Sequence, residues 1–340
     1  MMKQAPKKVT LIPGDGIGPE ITAVVQQIFK AASVPIVWDI QSAGFCAIDE
    51  YSSPLPEKTI ESIQKNGVCL KGPCTTPIGE GFRSVNVELR RRLDLYANVR
   101  EARSLPGVKA RYENIDVVVI RENTEGLYCG EEVWLDEKHT AAKSVALVTK
   151  KASERIIRYA FEYAAVHQRK KITLVHKANI LKYTGGLFLE TGREIAKEYQ
   201  GKIEFQDKII DNVCMQLVVN PYQFEVLVAT NLFGDILSDL TAGLIGGLGL
   251  APAANIGEKG ALFEAVHGSA PDIAGQNKAN PTALLLSSLI MLEYVGLESY
   301  AKKIKKGLLS VLKKGKKLTA DLGGNASTTE FQNAIISEIT

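Results

Sequence analysis

Short apolar runs of strand length recur along the chain, at residues 8–12, 68–70, 115–120, 144–148, 172–176 and 224–229. Segments with the apolar spacing of a helix lie between several of them, at 151–167 and 184–199 and from about residues 19, 84 and 235. Such alternation of buried strands with helices is typical of α/β proteins. The pattern therefore predicts an α/β fold with mostly parallel sheet.

A glycine-rich segment, GDGIGPE at residues 14–20, follows the first apolar run. The dinucleotide fingerprint GxGxxG would need its third glycine where this chain has Pro19, and proline lacks the amide that a phosphate cradle uses. Pro19 and Glu20 are instead good signals for the start of a helix. We interpret the segment as a tight turn that leads into a helix, and we expect the nucleotide site elsewhere.

The overall composition is that of an ordinary globular protein. The 340 residues are 45% hydrophobic and carry a formal net charge of +3, so charge gives no reason to expect nucleic acid or a membrane as a partner. The five cysteines form no CxxC pair and are odd in number, which indicates reduced thiols. Together with the absence of a signal-peptide pattern, they predict a cytoplasmic location.

Arginines are concentrated in one part of the chain. Eight of the 12 fall between Arg83 and Arg121, although lysines outnumber arginines 29 to 12. A planar guanidinium group binds a carboxylate through two parallel hydrogen bonds, which lysine cannot do. The cluster indicates a ligand with several carboxylates; a solvated basic surface is the alternative.

Polar side chains accompany these arginines at regular spacing. If a helix begins near Ser84, Asn86 and Arg90 lie four residues apart on one helical face. A following alternating run places three more side chains on one strand face, namely Tyr96, Asn98 and Arg100. Together they resemble a polycarboxylate site, whereas Ser84 as a simple N-cap is the alternative.

Two further motifs stand at the ends of apolar strands, where α/β sheets place their ligands. RENTEGLY follows the third run and offers Arg121 as a carboxylate binder and Tyr128 as a proton donor. VHKAN follows the fifth run and contains Lys177. Because burial can lower the pKa of a lysine, Lys177 is a candidate general base, with a surface lysine as the alternative.

NLFGDILSDL, after the last apolar run, carries two aspartates at helical spacing. Asp235 and Asp239, at i and i+4, project from one helical face and would repel each other without a cation. Oxygen ligands alone suit Mg²⁺ or Mn²⁺, and the four histidines are not well placed for zinc. Helix capping with solvation is the alternative.

A loop of small residues, EAVHGSAPDIAG at 264–275, is suited to a nucleotide. Its small residues let backbone amides approach a phosphate, and His267 can stack on or hydrogen-bond to a base. Asp272 can accept hydrogen bonds from both ribose hydroxyls and would repel a 2′-phosphate. The loop therefore favours NAD over NADP.

Taken in order, these segments resemble the β-decarboxylating (isocitrate/isopropylmalate) dehydrogenase family from residue 9 to about residue 292. The motifs that carry the resemblance are LIPGDGIGPE, KGPCTTP, LRRRLDLYANVR, RENTEGLY, VHKANI, NLFGDILSDL and FEAVHGSAPDIAGQNKANP. The resemblance implies a two-domain α/β fold with mostly parallel sheets that is not a Rossmann fold. We expect a large domain of residues 1–95 and 246–340 with the cofactor loop. Residues 96–245 are expected to form a small domain with the metal site and a dimer arm at about 126–149.

The resemblance also implies roles for individual residues. Substrate carboxylates are bound by Arg90, Arg100 and Arg121, and acid–base catalysis is carried out by Tyr128 and Lys177. The divalent metal, Mg²⁺ or Mn²⁺, is held by Asp211, Asp235 and Asp239. Lys177 and Asp211 reach in from the neighbouring chain of a homodimer, with further pairing of dimers left open. The cofactor-binding residues are Thr76, Glu264, His267, Gly268, Ser269, Ala270, Asp272, Ile273 and Asn280.

The substrate is chosen by the polar residues Ser84 and Asn86. If these side chains faced an isopropyl group, each would lack a hydrogen-bond partner, at a cost in binding free energy on the order of 1–3 kcal/mol. A third carboxylate on the substrate would give each of them a partner. The sequence therefore favours isocitrate, with homoisocitrate or 3-isopropylmalate as alternatives. Asp272 and Ile273 replace the Lys-Tyr pair of the NADP-linked members, which again indicates NAD. A non-catalytic regulatory subunit of a hetero-oligomeric dehydrogenase is the alternative from another class.

Overall fold

The computed structural model describes residues 5–77 and 82–340. Its strands, in chain order, are β1 (Lys7–Ile12), β2 (Ile36–Ile40), β3 (Val68–Lys71), β4 (Ala97–Arg103), β5 (Asp116–Glu122), β6 (Glu132–Trp134), β7 (Ala142–Ser144), β8 (Lys171–His176), β9 (Glu204–Ile209), β10 (Val226–Ala229), β11 (Pro252–Ile256) and β12 (Ala261–Ala265). Its α-helices are α1 (Gly18–Ala31), α2 (Ile48–Tyr51), α3 (Glu57–Asn66), α4 (Val85–Arg92), α5 (Lys150–Val166), α6 (Thr184–Ala196), α7 (Ile210–Val219), α8 (Asn231–Leu244), α9 (Thr282–Tyr294), α10 (Glu298–Lys314) and α11 (Thr328–Ile339). The α/β fold predicted from the sequence is confirmed.

The chain divides into two compact units. Unit 1 contains the described residues up to Leu93, together with 104–113 and 245–340, and unit 2 contains 94–103 and 114–244. The division predicted from the sequence differs mainly in the segment 104–113, which groups with unit 1, and by one or two residues at 94–95 and 245. In that segment Gly107 lies so close to the backbone of Leu312 that a Cβ atom would be 2.1 Å from the Leu312 carbonyl oxygen.

In unit 1 the strands follow the order β2-β1-β3-β12-β11. They pair in parallel, except that β11 and β12 are antiparallel. Every residue of β3 and β12 is buried, and all are apolar except Lys71 and Glu264. Helix α9 packs against β11 and β12, and nearly all of its residues are buried.

In unit 2 the order is β4-β5-β10-β8-β9. Within this order, β4 and β5 pair antiparallel and the other neighbours pair in parallel. Because β5, β10 and β8 run in the same direction, their carboxyl ends lie at one edge, where Arg121, Lys177 and the start of α8 follow. This edge therefore gathers the polar motifs that the sequence places after apolar runs.

One predicted strand is wrong. Residues 144–148 do not form a core strand, because only Ser144 belongs to a strand, in the exposed antiparallel hairpin of β6 and β7. The apolar side chains of Val145 and Leu147 are 44% and 46% exposed. The apolar run serves a surface rather than the core. None of the helices in the described part of the chain is long and apolar enough to cross a membrane.

Candidate active site

Helix α8 places the two predicted aspartates against β4 and β5 in unit 2. The helix begins at Asn231, four residues earlier than predicted, so Asp235 stands within the helix and does not cap it. Asp235 and Asp239 are therefore one turn apart, with side chains that are 34% and 57% exposed. Their oxygens are accessible to a ligand.

Arg121, at the end of β5, is the most firmly held of the predicted carboxylate binders. It is only 1% exposed, and its Nε and Nη2 donate to Asn231 Oδ1 at 2.9 and 2.7 Å. Its Nη1 forms an ion pair with Asp235. A Cβ atom on Gly234 would lie 2.6 Å from the Arg121 Cβ, so glycine is needed for α8 to approach β5 this closely.

Arg100, on β4, reaches the same two aspartates. Its Nη1 lies 3.3 Å from Asp235 Oδ1 and 3.4 Å from Asp239 Oδ1, and it also donates to Ser238 Oγ. Asn98 Oδ1 accepts from Arg100 Nε at 2.8 Å, as the shared strand face predicts. Tyr96 precedes β4, and its ring packs against the Arg155 guanidinium group, 4.3 Å from the ring centroid.

Tyr128 completes this group of side chains. Its hydroxyl donates to Asp235 Oδ2, and its ring lies 4.9 Å from the Arg121 guanidinium carbon. Burial and the nearby Asp235 carboxylate raise the pKa of Tyr128, although Arg121 opposes the shift. The phenol is thus kept protonated at neutral pH, as a proton donor requires.

The donor set around Asp235 fits a hard divalent cation. Two carboxylates one helical turn apart offer oxygen ligands only. Burial raises the pKa of Asp239, Arg100 lowers it, and the neighbouring Asp235 charge raises it further, so the pair carries mutual repulsion that a cation would relieve. Among the described residues of this one chain, no three His, Cys, Asp or Glu side chains form a metal-binding group.

Lys177 and Asp211 lie together, at the end of β8 and the start of α7. The Lys177 Nζ forms an ion pair with the Asp211 carboxylate. That ion pair contains none of the other predicted site residues. Their contribution to the active site of another subunit stays a prediction.

In unit 1, Arg90 belongs to a buried ion cluster with Glu264 and Lys71. Glu264 accepts from Lys71 Nζ at 2.8 Å and from Arg90 Nη2 at 3.2 Å, and Asn255 Nδ2 donates to it at 2.8 Å. Burial alone would raise the pKa of Glu264, but Lys71 and Arg90 outweigh it and hold the pKa well below its ordinary value. Glu264, predicted to bind cofactor, thus uses its oxygens to position Arg90.

Ser84 and Thr76 form a contact that the sequence did not predict. Ser84 makes no side-chain cap bond to α4 and instead accepts from Thr76 Oγ1 at 3.1 Å. Asn86 Oδ1 and Arg90 Nε, one turn apart on α4, are buried without a hydrogen-bond partner among the described residues. Such groups are costly unless a polar ligand satisfies them.

The loop after β12 has features that fit a nucleotide. His267 Nδ1 bonds to the Gly268 carbonyl at 2.9 Å, so Nε2 is left as a buried acceptor that has no partner among residues 5–77 and 82–340. Burial lowers the pKa of His267, which keeps the ring neutral. A Cβ atom on Gly268 would meet nothing within 4 Å, so the loop backbone is open to a ligand. An adenine amino group is a suitable donor to Nε2.

Among the other predicted cofactor residues, some are exposed and others are already hydrogen-bonded within the protein. Asp272 is exposed, and Ile273 closes a turn by donating its amide to the carbonyl of Ala270, whose φ is +40°. Asn280 is buried, donates to Asp321 at 2.8 Å and accepts from the Thr282 amide at 3.0 Å. Its side chain therefore shapes the start of α9, and Asp272 is the one that stays accessible.

Sequence reasoning assigned no role to several side chains that hold these groups in place, namely Lys71, Asn231, Ser238 and Asn255. Asn231 also donates to the Glu125 carbonyl at 2.9 Å, which ties α8 to the loop before Tyr128. The spacing of residues 231, 235 and 239 on one helical face was the available signal.

Comparisons with known proteins match this chain over nearly its whole length. The sequence model of the isocitrate/isopropylmalate dehydrogenase family matches residues 8–335 of this chain. A probable alpha subunit of mitochondrial NAD isocitrate dehydrogenase from Drosophila melanogaster is 51% identical over 98% of this chain and 88% of its own length. The chloroplastic 3-isopropylmalate dehydrogenase of Solanum tuberosum is 52% identical over 91% of this chain and 86% of its own length. The crystal structure of isocitrate dehydrogenase from Methylococcus capsulatus has a TM-score of 0.95 and 53% identity, covering 98% of this chain and 99% of that one.

Guanidinium groups and a phenol beside an accessible carboxylate pair, in an α/β protein with a nucleotide-suited loop, are typical of a dehydrogenase for acidic substrates. The chain belongs to the isocitrate/isopropylmalate dehydrogenase family, since the family model spans almost all of it. Relatives of similar identity are named as catalytic and as regulatory subunits of NAD isocitrate dehydrogenase.

Proposed function

We propose that this chain is catalytic and oxidatively decarboxylates isocitrate to 2-oxoglutarate and CO₂, with NAD as hydride acceptor and Mg²⁺ or Mn²⁺ as the resident cation. The observation that carries the proposal is the group formed by Arg100, Arg121, Tyr128, Asp235 and Asp239. It combines donors for carboxylates, ligands for a cation and a protonated phenol.

The choice of isocitrate depends on α4. Asn86 and Arg90 each keep a buried polar atom without a partner among the described residues, and Ser84 is polar. An isopropyl group would leave these atoms unpaired, whereas a carboxylate can pair with them. Homoisocitrate, longer by one methylene, is the nearest competitor, because a methylene changes binding by only about 1–3 kcal/mol.

In the proposed mechanism the arginines orient the substrate carboxylates. Asp235 and Asp239, with Asp211 of the partner subunit, would hold the cation, which when bound polarises the C2 oxygen as a Lewis acid. Lys177 of the partner subunit would remove the proton of the C2 hydroxyl, and NAD, when bound, would supply the hydride acceptor. The β-carboxylate then leaves as CO₂, and the protonated Tyr128 supplies a proton to the carbon that carried it.

The catalytic reading is preferred over a regulatory subunit because each acid–base and metal residue named above is present. NAD is preferred over NADP because the exposed Asp272 would repel a 2′-phosphate. The cytoplasmic location stays a prediction from the cysteine content and the absence of a signal-peptide pattern. Relatives of this chain are named mitochondrial, so their names do not support it.

A homodimer is the proposed assembly. The hairpin of β6 and β7 exposes Val133, Trp134 and Leu135 by 51%, 56% and 59%. Exposed apolar side chains of this kind mark a protein interface. The hairpin lies inside the predicted dimer arm at 126–149.

Initial rates with isocitrate, homoisocitrate and 3-isopropylmalate, each with NAD and with NADP and with Mn²⁺ present, test the proposal. We expect the highest kcat/KM for isocitrate with NAD. A higher kcat/KM for homoisocitrate or 3-isopropylmalate would contradict isocitrate as the substrate, and a higher kcat/KM with NADP would contradict NAD as the cofactor. No turnover with any combination of acid and cofactor would favour a regulatory subunit.

A further inference from the structure

The segment GDGIGPE, residues 14–20, has no part in the proposed chemistry, yet it contacts both loops expected to bind the cofactor. It forms the turn after β1 and the first residues of α1, within unit 1. We name residues 72–77 the first cofactor loop and residues 266–280 the second cofactor loop. The first contains Thr76, and the second contains His267 and Asp272.

Asp15 fixes the first cofactor loop. Its Oδ2 accepts from the Thr75 amide at 2.8 Å, its Oδ1 accepts from the Cys46 amide at 3.2 Å, and its own amide donates to the Pro73 carbonyl at 2.7 Å. Asp15 is 8% exposed, and no cation pairs with it among the described residues. A buried carboxylate that accepts from backbone amides constrains the segments that supply them.

The middle of the segment joins the two loops. The Ile17 amide donates to the Ser269 carbonyl at 2.8 Å, and a Cβ atom on Gly16 would lie 2.0 Å from that same oxygen. Thr75 Oγ1 and Ser269 Oγ are hydrogen-bonded at 2.6 Å. The small size of Gly16 therefore allows contact with protein backbone, a role distinct from the phosphate binding of a Rossmann glycine.

Glu20, in the first turn of α1, holds the far end of the second cofactor loop. Its Oε1 accepts from the Ala279 amide at 3.3 Å and from Thr328 Oγ1 at 2.6 Å, and its Oε2 accepts from the Asn277 amide at 3.3 Å. These bonds fix the backbone immediately before Asn280.

We propose that GDGIGPE is a positioning segment for the cofactor, in which Asp15 and Glu20 are positioning residues that hold the two cofactor loops in their binding arrangement. The inference rests on the proposed function, because it takes NAD as the occupant of these loops. The segment acts through Thr75, Ser269 and the backbone at 277–279, and its own carboxylates do not touch the nucleotide.

The test uses Asp15→Ala and Glu20→Ala in the full-length chain, with Asp39→Ala as the matched control. Asp39 is also in unit 1 and accepts hydrogen bonds from Gln41, Ser62 and Asn66, but it contacts neither cofactor loop. NADH binding is followed by its fluorescence. We expect the Kd to rise roughly tenfold or more for Asp15→Ala and Glu20→Ala and to stay within about twofold for Asp39→Ala.

Two further readouts separate positioning from general loss of structure. Hydrogen exchange without cofactor should become faster at residues 72–77 in Asp15→Ala and at 277–279 in Glu20→Ala, while Asp39→Ala leaves both loops unchanged. In steady state, KM for NAD should rise while kcat at saturating NAD stays within about twofold. Glu20→Gln, which keeps one acceptor oxygen, should recover part of the affinity.

If both alanine variants bind NADH with the same Kd as the unaltered chain, the inference is overturned. The proposed function would stand in that case. The inference is also overturned if Asp39→Ala weakens NADH binding equally, since the effect would then be one of stability. If the unaltered chain shows no NADH binding, the proposed cofactor fails together with the inference.

Discussion

At Glu264 a single carboxylate separates two buried cations. Lys71 is 1% exposed and Arg90 is 9% exposed, and both contact the same side chain. Removing the charge leaves the Arg90 guanidinium and the Lys71 ammonium group facing each other away from water. Glu264→Gln should therefore destabilise the protein by about 3–5 kcal/mol and raise KM for the substrate through Arg90. Denaturant unfolding and steady-state rates measure the two effects; a change below about 1 kcal/mol would contradict the ion-cluster account.

The same residue predicts a dependence of stability on pH. Lys71 and Arg90 hold the pKa of folded Glu264 well below that of the unfolded chain, which is about 4.3. As pH falls from about 5 to 3, the unfolded state binds the proton first, so this contribution to stability decreases with falling pH. Melting temperatures should therefore drop more steeply across this range for the unaltered chain than for Glu264→Gln. Parallel curves would refute the assigned direction of the shift.

Tyr128 is expected to act late in the reaction. Tyr128→Phe keeps the ring against Arg121 but removes the hydroxyl that donates to Asp235. The conversion of added oxalosuccinate to 2-oxoglutarate should slow by about 10²–10⁴-fold, the usual contribution of a general acid. Tyr163→Phe is the control, because the Tyr163 hydroxyl donates to Glu101, outside this group of residues. An unaltered rate for Tyr128→Phe would remove the tyrosine from the mechanism.

Among the elements, α8 determines the geometry of the carboxylate pair. Gly234 allows it to approach β5, and a Cβ atom there would stand 2.6 Å from the Arg121 Cβ and Cγ. Gly234→Ala should cost about 1–3 kcal/mol of stability and lower activity, because the helix must move away from the guanidinium groups. Thermal unfolding and initial rates check this.

Gly243→Ala in the same helix is the matched control. A Cβ atom at Gly243 would meet nothing within 4 Å. Because alanine has a higher helix propensity than glycine, this variant should be stabilised by up to about 1 kcal/mol and keep its activity. If the two variants behaved alike, close packing at Gly234 would not be the cause.

The sequence predicted some elements of this fold better than others. Buried strands with continuous apolar residues, such as β3 and β10, were visible as runs. Within the two strand orders, β2, β9, β11 and β12 were missed. Strands β2 and β9 stand at the ends of the strand orders and are half-exposed, so their composition is mixed. Strands β11 and β12 are almost wholly buried but short, and their Ala, Pro, Asn and Glu residues are uncommon in strands. The predicted strand at 144–148 failed because apolar residues on an exposed hairpin resemble those of a core. Local pattern does not distinguish apolar residues of a core from apolar residues on a surface.

At the scale of the whole molecule, the sequence named candidate site residues one by one but could not name the residues that hold them. The sequence indicated Arg90, Arg100 and Arg121 from residue type and motif. It could not show that Glu264 holds Arg90 or that Asn231 holds Arg121, because each pair is separated by more than 100 residues. Such contacts depend on which strands become neighbours, and that information is not local.

Shared active sites in a homodimer predict complementation between inactive variants. Lys177→Ala lacks the base that a chain gives to its partner, and Asp235→Asn lacks a metal ligand of its own site. In the mixed dimer one of the two sites has both groups intact. Co-expression of the two variants should restore about a quarter of normal activity, since about half of the dimers are mixed. Purified separately, both variants should be inactive; a mixture that stays inactive would argue against shared sites.

The most direct test of the account is the rate of NADH formation from isocitrate as Mn²⁺ is added back after chelation. We predict that the unaltered chain is inactive in chelator and regains activity with Mn²⁺. Asp235→Asn and Asp239→Asn should lose at least about a hundredfold in rate at the same Mn²⁺ concentration, because the cation contributes several kcal/mol. Normal turnover by the unaltered chain in chelator, or by both variants, would contradict the assignment of the α8 aspartates as the cation site.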